Sequence, residues 1–247
     1  MYWHVGRPNF GDDVNPTFFA GVRDGPVRFA SDRSRPHVLG AGSILRHATP
    51  ASVVCGSGFL QRPDAPLRAR EIVAVRGVLS AEGCGGGITP LLGDPLLLVD
   101  QFVTRRSAVR RFGYVPHVTS VGRWRRLAGP GGGVIDPAWS PWRTIAEIAA
   151  CDVVISQSLH GLIVADALGI PNVWVAPSAG MSGGRFKFDD YFSTLDRVKE
   201  PAPECRDLFT APQHFAAEVA GYRFCKQRYR EALVAAVDRV AAAWAGG

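Results

Sequence analysis

The run Asp152-Val-Val-Ile-Ser-Gln-Ser-Leu-His160-Gly161, followed after Gly169-Ile-Pro171 by Asn172-Val-Trp-Val-Ala176, decides the fold class. Asp152 to Ile155 is a short, β-branched apolar run of strand length. Ser156 to Gly161 reads as a turn opening a helix over about 161–168, which Gly169 and Pro171 stop. Asn172 to Ala176 is a second strand, so the stretch spells strand, helix, strand, the pattern of a parallel βαβ unit.

The same grammar recurs upstream. Pro36-His-Val-Leu39 runs into Gly40-Ala-Gly42, Ala51-Ser-Val-Val-Cys55 into Gly56-Ser-Gly58, and Ile72-Val-Ala-Val75 into Arg76-Gly77. Each reads as a buried strand closed by a glycine turn, and Ser140-Pro141 starts a helix running to Ala149. Alternation of this kind predicts an α/β protein with mostly parallel sheets, covered on both faces in the doubly wound manner. The polar, arginine-rich stretch between Leu98 and Val115 marks a boundary between two Rossmann-like lobes, 1–108 and 109–247. Apolar residues at Phe215, Val219, Tyr222, Leu233, Val237 and Val240 predict closing helix within 214–244.

Composition narrows the function. With 247 residues, 47% hydrophobic and 20% charged, the chain can bury a large core and is not disordered. It has no apolar run near the roughly 20 residues that cross a bilayer, and no signal-peptide pattern, which predicts a soluble protein of the cytoplasm. Five scattered cysteines without a Cys-x-x-Cys pair argue against disulfide, zinc or redox roles. The net charge of +6 suits anionic partners. Arg123-Trp124-Arg125-Arg126, with Arg105, Arg106, Arg110 and Arg111 upstream, reads as a solvated face or as a docking surface for anionic lipid head groups at the inner membrane surface. Neither Gly40-Ala-Gly42 nor Gly56-Ser-Gly58 completes Gly-x-Gly-x-x-Gly, so a nicotinamide cofactor is rejected. No nucleic-acid partner is expected.

Five segments, in order, resemble the polysaccharide pyruvyl transferase family: Asn9-Phe-Gly-Asp-Asp13, Val75-Arg-Gly77 with Ser80, Leu92-Gly-Asp-Pro95, Tyr114-Val-Pro-His117, and Ser156-Gln-Ser-Leu-His-Gly161 continuing to Gly169-Ile-Pro171. The resemblance implies two lobes like the GT-B glycosyltransferases, with no cofactor. It also implies phosphoenolpyruvate as donor substrate and a sugar hydroxyl pair as acceptor, carried on a lipid-linked oligosaccharide or a nucleotide. Many members carry arginine where this chain has Ser158, so one anion contact must come from elsewhere. The chain is also short for the family. A nucleotide-sugar glycosyltransferase and an inactive glycan-binding scaffold are the competing readings.

Ketal transfer needs cations for a carboxylate and a phosphate, an acid for the methylene carbon, and room for two hydroxyls. His160 is the first choice as acid, since imidazole titrates near neutrality and this residue sits at a strand-to-helix turn. The helix start around Leu159 to Leu162 offers N–H groups to phosphate; the alternative is a histidine that only packs the turn. Arg76, at the end of a strand, suits a carboxylate or phosphate, or else a salt bridge to an acid such as Glu82. In the early loop Asn9 is expected to contact substrate. Asp13 or Asn15 is expected to cap a helix, and the resemblance favours Asp12 as the residue acting on a sugar hydroxyl. Within the loop after Gly180, Arg185 or Lys187 could replace the arginine absent at Ser158, or lie in solvent. His117 is placed to touch donor or acceptor, or to pack.

Overall fold

The computed structural model describes all residues except Gly86, Ile88, Arg106, Gly131, Gly246 and Gly247, so Arg106 of the basic stretch lies outside it. The chain opens with α1 (Phe10–Asp13) and α2 (Asn15–Arg23), then lays down β1 (His37–Leu39), β2 (Ser52–Cys55), β3 (Glu71–Val75), α3 (Val78–Gly83) and β4 (Leu91–Leu92). A 3₁₀ helix over Pro95–Gln101 leads to β5 (Arg110–Val115), α4 (Val121–Ala128), α5 (Pro141–Ala149), β6 (Cys151–Ser156), α6 (Leu159–Ala167) and β7 (Asn172–Trp174). The chain closes with α7 (Phe186–Phe192), α8 (Asp207–Thr210) and α9 (Lys226–Ala245).

Two parallel sheets result, ordered β1-β2-β3-β4 and β5-β6-β7. Strands β1, β2 and β7 are buried throughout and β5 and β6 at their carboxyl halves, where their runs are mostly apolar. The expectation of an α/β fold with parallel sheets holds, with α5 and α6 as the crossovers of the second sheet. Strand order runs in sequence without reversal among the described residues, because β1, β2 and β3 are joined by a 3₁₀ turn and loops rather than by long crossover helices. Cover comes instead from α9, which returns to pack on β1, β2 and β3 of the first sheet. The interval between Leu98 and Val115 does separate the two sheets, yet one hydrophobic core runs through both, from Phe10, Val53 and Leu96 to Val154, Ile163 and Leu233.

Two element boundaries differ from the sequence reading. Helix α6 starts at Leu159, because Ser158 takes extended backbone (φ −88°, ψ 129°) as the residue before it, so His160 sits in the first helical turn. The closing helix begins only at Lys226. Residues upstream are drawn into strand-like pairing, Glu218 with Asn172 and Tyr222 with Leu195, and this overrides their helical spacing.

Candidate active site

A cavity of about 290 Å³ opens at the carboxyl ends of the strands of both sheets. This is where parallel sheets present turns and helix starts to ligands. The segment after β1 gives Ser43 and Ile44, the segment after β5 gives His117, and the turn after β6 gives Ser158, Leu159 and His160. Asn9 and Asp12 come from the start of α1 and Lys187 from α7; His4, Arg46, His47, Leu60 and Ser182 complete the wall.

The α1 loop divides its acids. Asn9 caps α1 through Oδ1, which accepts from Gly11 N–H (3.3 Å), and Asp13 Oδ2 accepts from Asn9 N–H (2.9 Å). That reciprocal cap holds Asp13 and leaves Asp12 on the cavity wall. Asn15 caps no helix. It is buried and ties α2 to the segment after β1, exchanging hydrogen bonds with Ala41 N–H and C=O. Gly42, at φ +111°, turns the backbone so close to Asp12 that a Cβ there would lie 2.8 Å from the carboxylate. Burial raises the Asp12 pKa to about 6, against a lowering by His4.

Ser158 is buried at the start of α6 and makes no side-chain cap, so the first-turn N–H groups there have no side-chain partner and carry the positive end of the helix dipole. His160 follows, seated on Gly11. A Cβ at Gly11 would collide with the imidazole Nδ1, which makes the Gly11 backbone the shelf for the ring. The ring meets Phe10 edge-on at 6.1 Å. Its Nε2 faces Asp94 Oδ2 at 3.8 Å, too long for a hydrogen bond, and neither atom has a partner among the described residues. Burial, then Arg76 and Lys187, push the His160 pKa down to about 3; burial raises that of Asp94 to about 7. The pair therefore favours neutral imidazole beside a carboxyl group that holds its proton below neutrality.

Arg76 is corrected. It does not line the cavity but is 0 % exposed behind Ser43, donating to Asp190 Oδ2 (2.9 Å), Ser43 Oγ (2.9 Å) and Phe59 C=O (2.5 Å). A fully buried guanidinium requires an anion, and Asp190 of α7, rather than Glu82, supplies it. Asp190 also accepts from Ser80 N–H and Oγ, which fastens α7 to the first sheet. That latch sets Lys187, one turn earlier, on the cavity wall. Lys187 makes no ion pair or hydrogen bond among the described residues, and burial, then Arg76, lower its pKa to about 8. Arg185 lies off the cavity: it pairs with Asp189 and covers the Trp174 ring. His117 lines the wall with Nδ1 2.7 Å from Thr119 Oγ1, and burial, then Lys187, lower its pKa to about 4. No cluster of three or more His, Cys, Asp or Glu suited to a metal exists among the described residues.

The structure thus brings Asn9, Asp12, His117, Ser158, His160 and Lys187 together and leaves Arg76 and Arg185 outside. It adds Asp94, which the sequence offered only as part of Leu92-Gly-Asp-Pro95. The signal was present in the Asp-Pro pair, a helix start, but not the depth at which it sits.

The sequence profile of the polysaccharide pyruvyl transferase family matches residues 55–178, half of the chain, and includes Asp94, His117, Ser158 and His160. The chain belongs to this family. Among curated proteins it is 31% identical over 215 residues to the succinoglycan biosynthesis protein ExoV of Rhizobium meliloti (strain 1021), a match covering 81% of this chain and 66% of that protein. It is 28% identical over 211 residues to the uncharacterized protein L143 of Acanthamoeba polyphaga mimivirus, covering 79% of this chain and 74% of the other. The chain thus spans just under two thirds of the length of ExoV. No solved structure matches it significantly. Within the pyruvyl transferase fold the basic segment is partly neutralised: Trp124 is buried, Arg123 pairs with Glu204 and Arg125 with Asp136. No helix among the described residues is long and apolar enough to cross a membrane.

Proposed function

We propose that the protein transfers the pyruvyl group of phosphoenolpyruvate to two hydroxyls of one sugar, forming a ketal during exopolysaccharide synthesis. The observation that carries this is the convergence, on one small cavity, of an unpaired ammonium (Lys187), an uncapped helix start (α6) and an imidazole (His160). Lys187 and the N–H groups at the start of α6 bind the carboxylate and phosphate of the donor. Lys187 thereby supplies the cation that Ser158 cannot.

Protonation of the methylene carbon by His160 leaves an oxocarbenium-like centre. One hydroxyl adds, phosphate departs and the second hydroxyl closes the ring. Asp12 is ionised above about pH 6, so at neutral pH it accepts a hydrogen bond from an incoming hydroxyl. Asn9 and His117 line the rest of the acceptor side. A GT-B-like closing of the two lobes, a carrier-linked oligosaccharide acceptor, and residence in the cytoplasm with contact at the membrane face through Arg126 and its neighbours belong to the same reading.

Incubation of the protein with phosphoenolpyruvate and saccharide acceptors tests it. Expected are phosphate release and a mass increase of one pyruvyl ketal on the acceptor. Reaction only with a nucleotide sugar would replace this reading by glycosyl transfer, and binding without turnover of any donor would replace it by the scaffold.

A further inference from the structure

Neutral imidazole is a poor acid at carbon, and the burial of His160 beside two cations keeps it neutral. The protein must therefore supply the proton from somewhere behind the ring. Behind it lies Asp94. Its Oδ1 is fixed, accepting from Leu96 N–H at 2.9 Å as the cap of the 3₁₀ helix, with Pro95 stiffening the turn. Its Oδ2 points at His160 Nε2 across 3.8 Å, both atoms are buried, and both lack partners. Buried polar atoms are paired in the great majority of cases, and exceptions gather where chemistry is done. The gap closes to hydrogen-bond distance by a ring shift of less than about 1 Å.

We propose that Asp94 is the proton store of the reaction, a positioning residue that works through His160 as a two-nitrogen relay. The proposal rests on the pyruvyl-transfer reading. In the first step the Asp94 O–H bond breaks and an Nε2–H bond forms, while Nδ1–H breaks and a C–H bond forms at the donor methylene. The imidazole changes tautomer and stays neutral; the new carboxylate of Asp94 balances the positive charge developing on the donor carbon. As one acceptor hydroxyl adds to that carbon, its proton returns to Nδ1 and Nε2 hands its own back to Asp94. The second hydroxyl's proton leaves on phosphate, so the pair is reset with all protons accounted for.

The surroundings favour a store of this kind. Around the pair stand Arg76 from the end of β3, Asp12 from α1, Lys187 and Asp190 from α7, and Tyr222 and Tyr229 toward and on α9. Arg76 favours the carboxylate of Asp94, while burial, Asp12 and Asp190 oppose it. The burial that penalises a carboxylate at Asp94 holds its proton, and the relay fails as pH rises and that proton is lost.

Asp94→Asn tests the relay. The amide can still cap Leu96 and donate to Nε2, so the ring keeps its place, but it has no proton to release. Expected are a kcat lower by about 10²–10⁴-fold, a donor KM near that of the wild type, an unchanged melting temperature, and loss of the alkaline fall in kcat expected of the wild type above about pH 7. Nitrogen NMR of the resting wild type should show His160 as the Nδ1–H tautomer. Wild-type kcat in Asp94→Asn, or a resting Nε2–H tautomer or imidazolium, overturns the relay. A wild type that never turns over phosphoenolpyruvate overturns the parent reading instead, and the NMR result still judges the pair.

Discussion

The two ends of α6 are both buried and polar, and they are built on opposite terms. At the C-terminal end Asp166 accepts from Lys199 Nζ (2.8 Å), Asn172 Nδ2 (2.7 Å) and the Tyr191 hydroxyl (2.9 Å), and Lys199 also donates to Asn172 Oδ1 (2.5 Å). At the N-terminal end His160 and Asp94 face one another across 3.8 Å without a hydrogen bond. A network with its bonds made rigidifies a fold; a pair with bonds unmade costs stability and is kept where protons must move. One helix thus carries an anchor at one end and the proposed chemistry at the other.

The sharpest way to break that contrast is to remove the reactive end. His160→Ala should lower turnover by about 10²–10⁴-fold, the usual contribution of a positioned acid, while the melting temperature holds, because Asp94 stays protonated and Gly11 merely loses a neighbour. A variant with full activity would make the N-terminal end of α6 as structural as the other. If the variant instead unfolds, His160→Gln, which keeps the volume, takes over the comparison.

How far this contrast could be read in advance depends on sequence distance. The place of His160 at the cavity was legible because the turn between an apolar strand and a helix falls at the carboxyl edge of a parallel sheet. The βαβ unit and parallel sheets followed from the same local pattern. Asp94 was not legible: Gly-Asp-Pro reads as a turn, and only the packing of the 3₁₀ helix against α6 sinks it beneath the imidazole. Arg76 was rightly placed at a strand end but not rightly partnered, since Asp190 lies 114 residues further on. The stretch before α9 reads falsely as helix because residues such as Phe215 and Val219 fit a helical period, while β7 and its neighbours offer a strand-like pairing that local spacing cannot report.

Breaking the anchor should give the next largest effect, and of a different kind. Lys199→Met leaves Asp166 buried without its cation, a change expected to cost about 3–5 kcal/mol, measured by urea unfolding. Turnover per folded molecule should be retained, since Lys199 lies off the candidate cavity. A loss of turnover without a loss of stability would mean that the two ends of α6 are coupled rather than divided.

The smallest expected effect compares two lysines, alike in chemistry and unlike in company. Lys199 is paired on two sides, while Lys187 stands unpaired among the described residues, at the cavity, with its pKa lowered to about 8 by burial, then by Arg76. A lysine whose pKa falls on folding is less welcome protonated in the fold than in the unfolded chain, so at neutral pH it destabilises, and Lys187→Met should leave the melting temperature equal or higher. Its loss should appear in donor binding instead. A charged hydrogen bond of about 1.5–3 kcal/mol removed from the ground state raises KM for phosphoenolpyruvate by about 10- to 100-fold, with kcat changed far less. Steady-state kinetics and a thermal melt on the same preparation separate the outcomes. If Lys187→Met lowers stability as Lys199→Met does and leaves KM alone, then an unpaired cation beside a cavity is no guide to the donor site, and the anion must be held by the start of α6 without it.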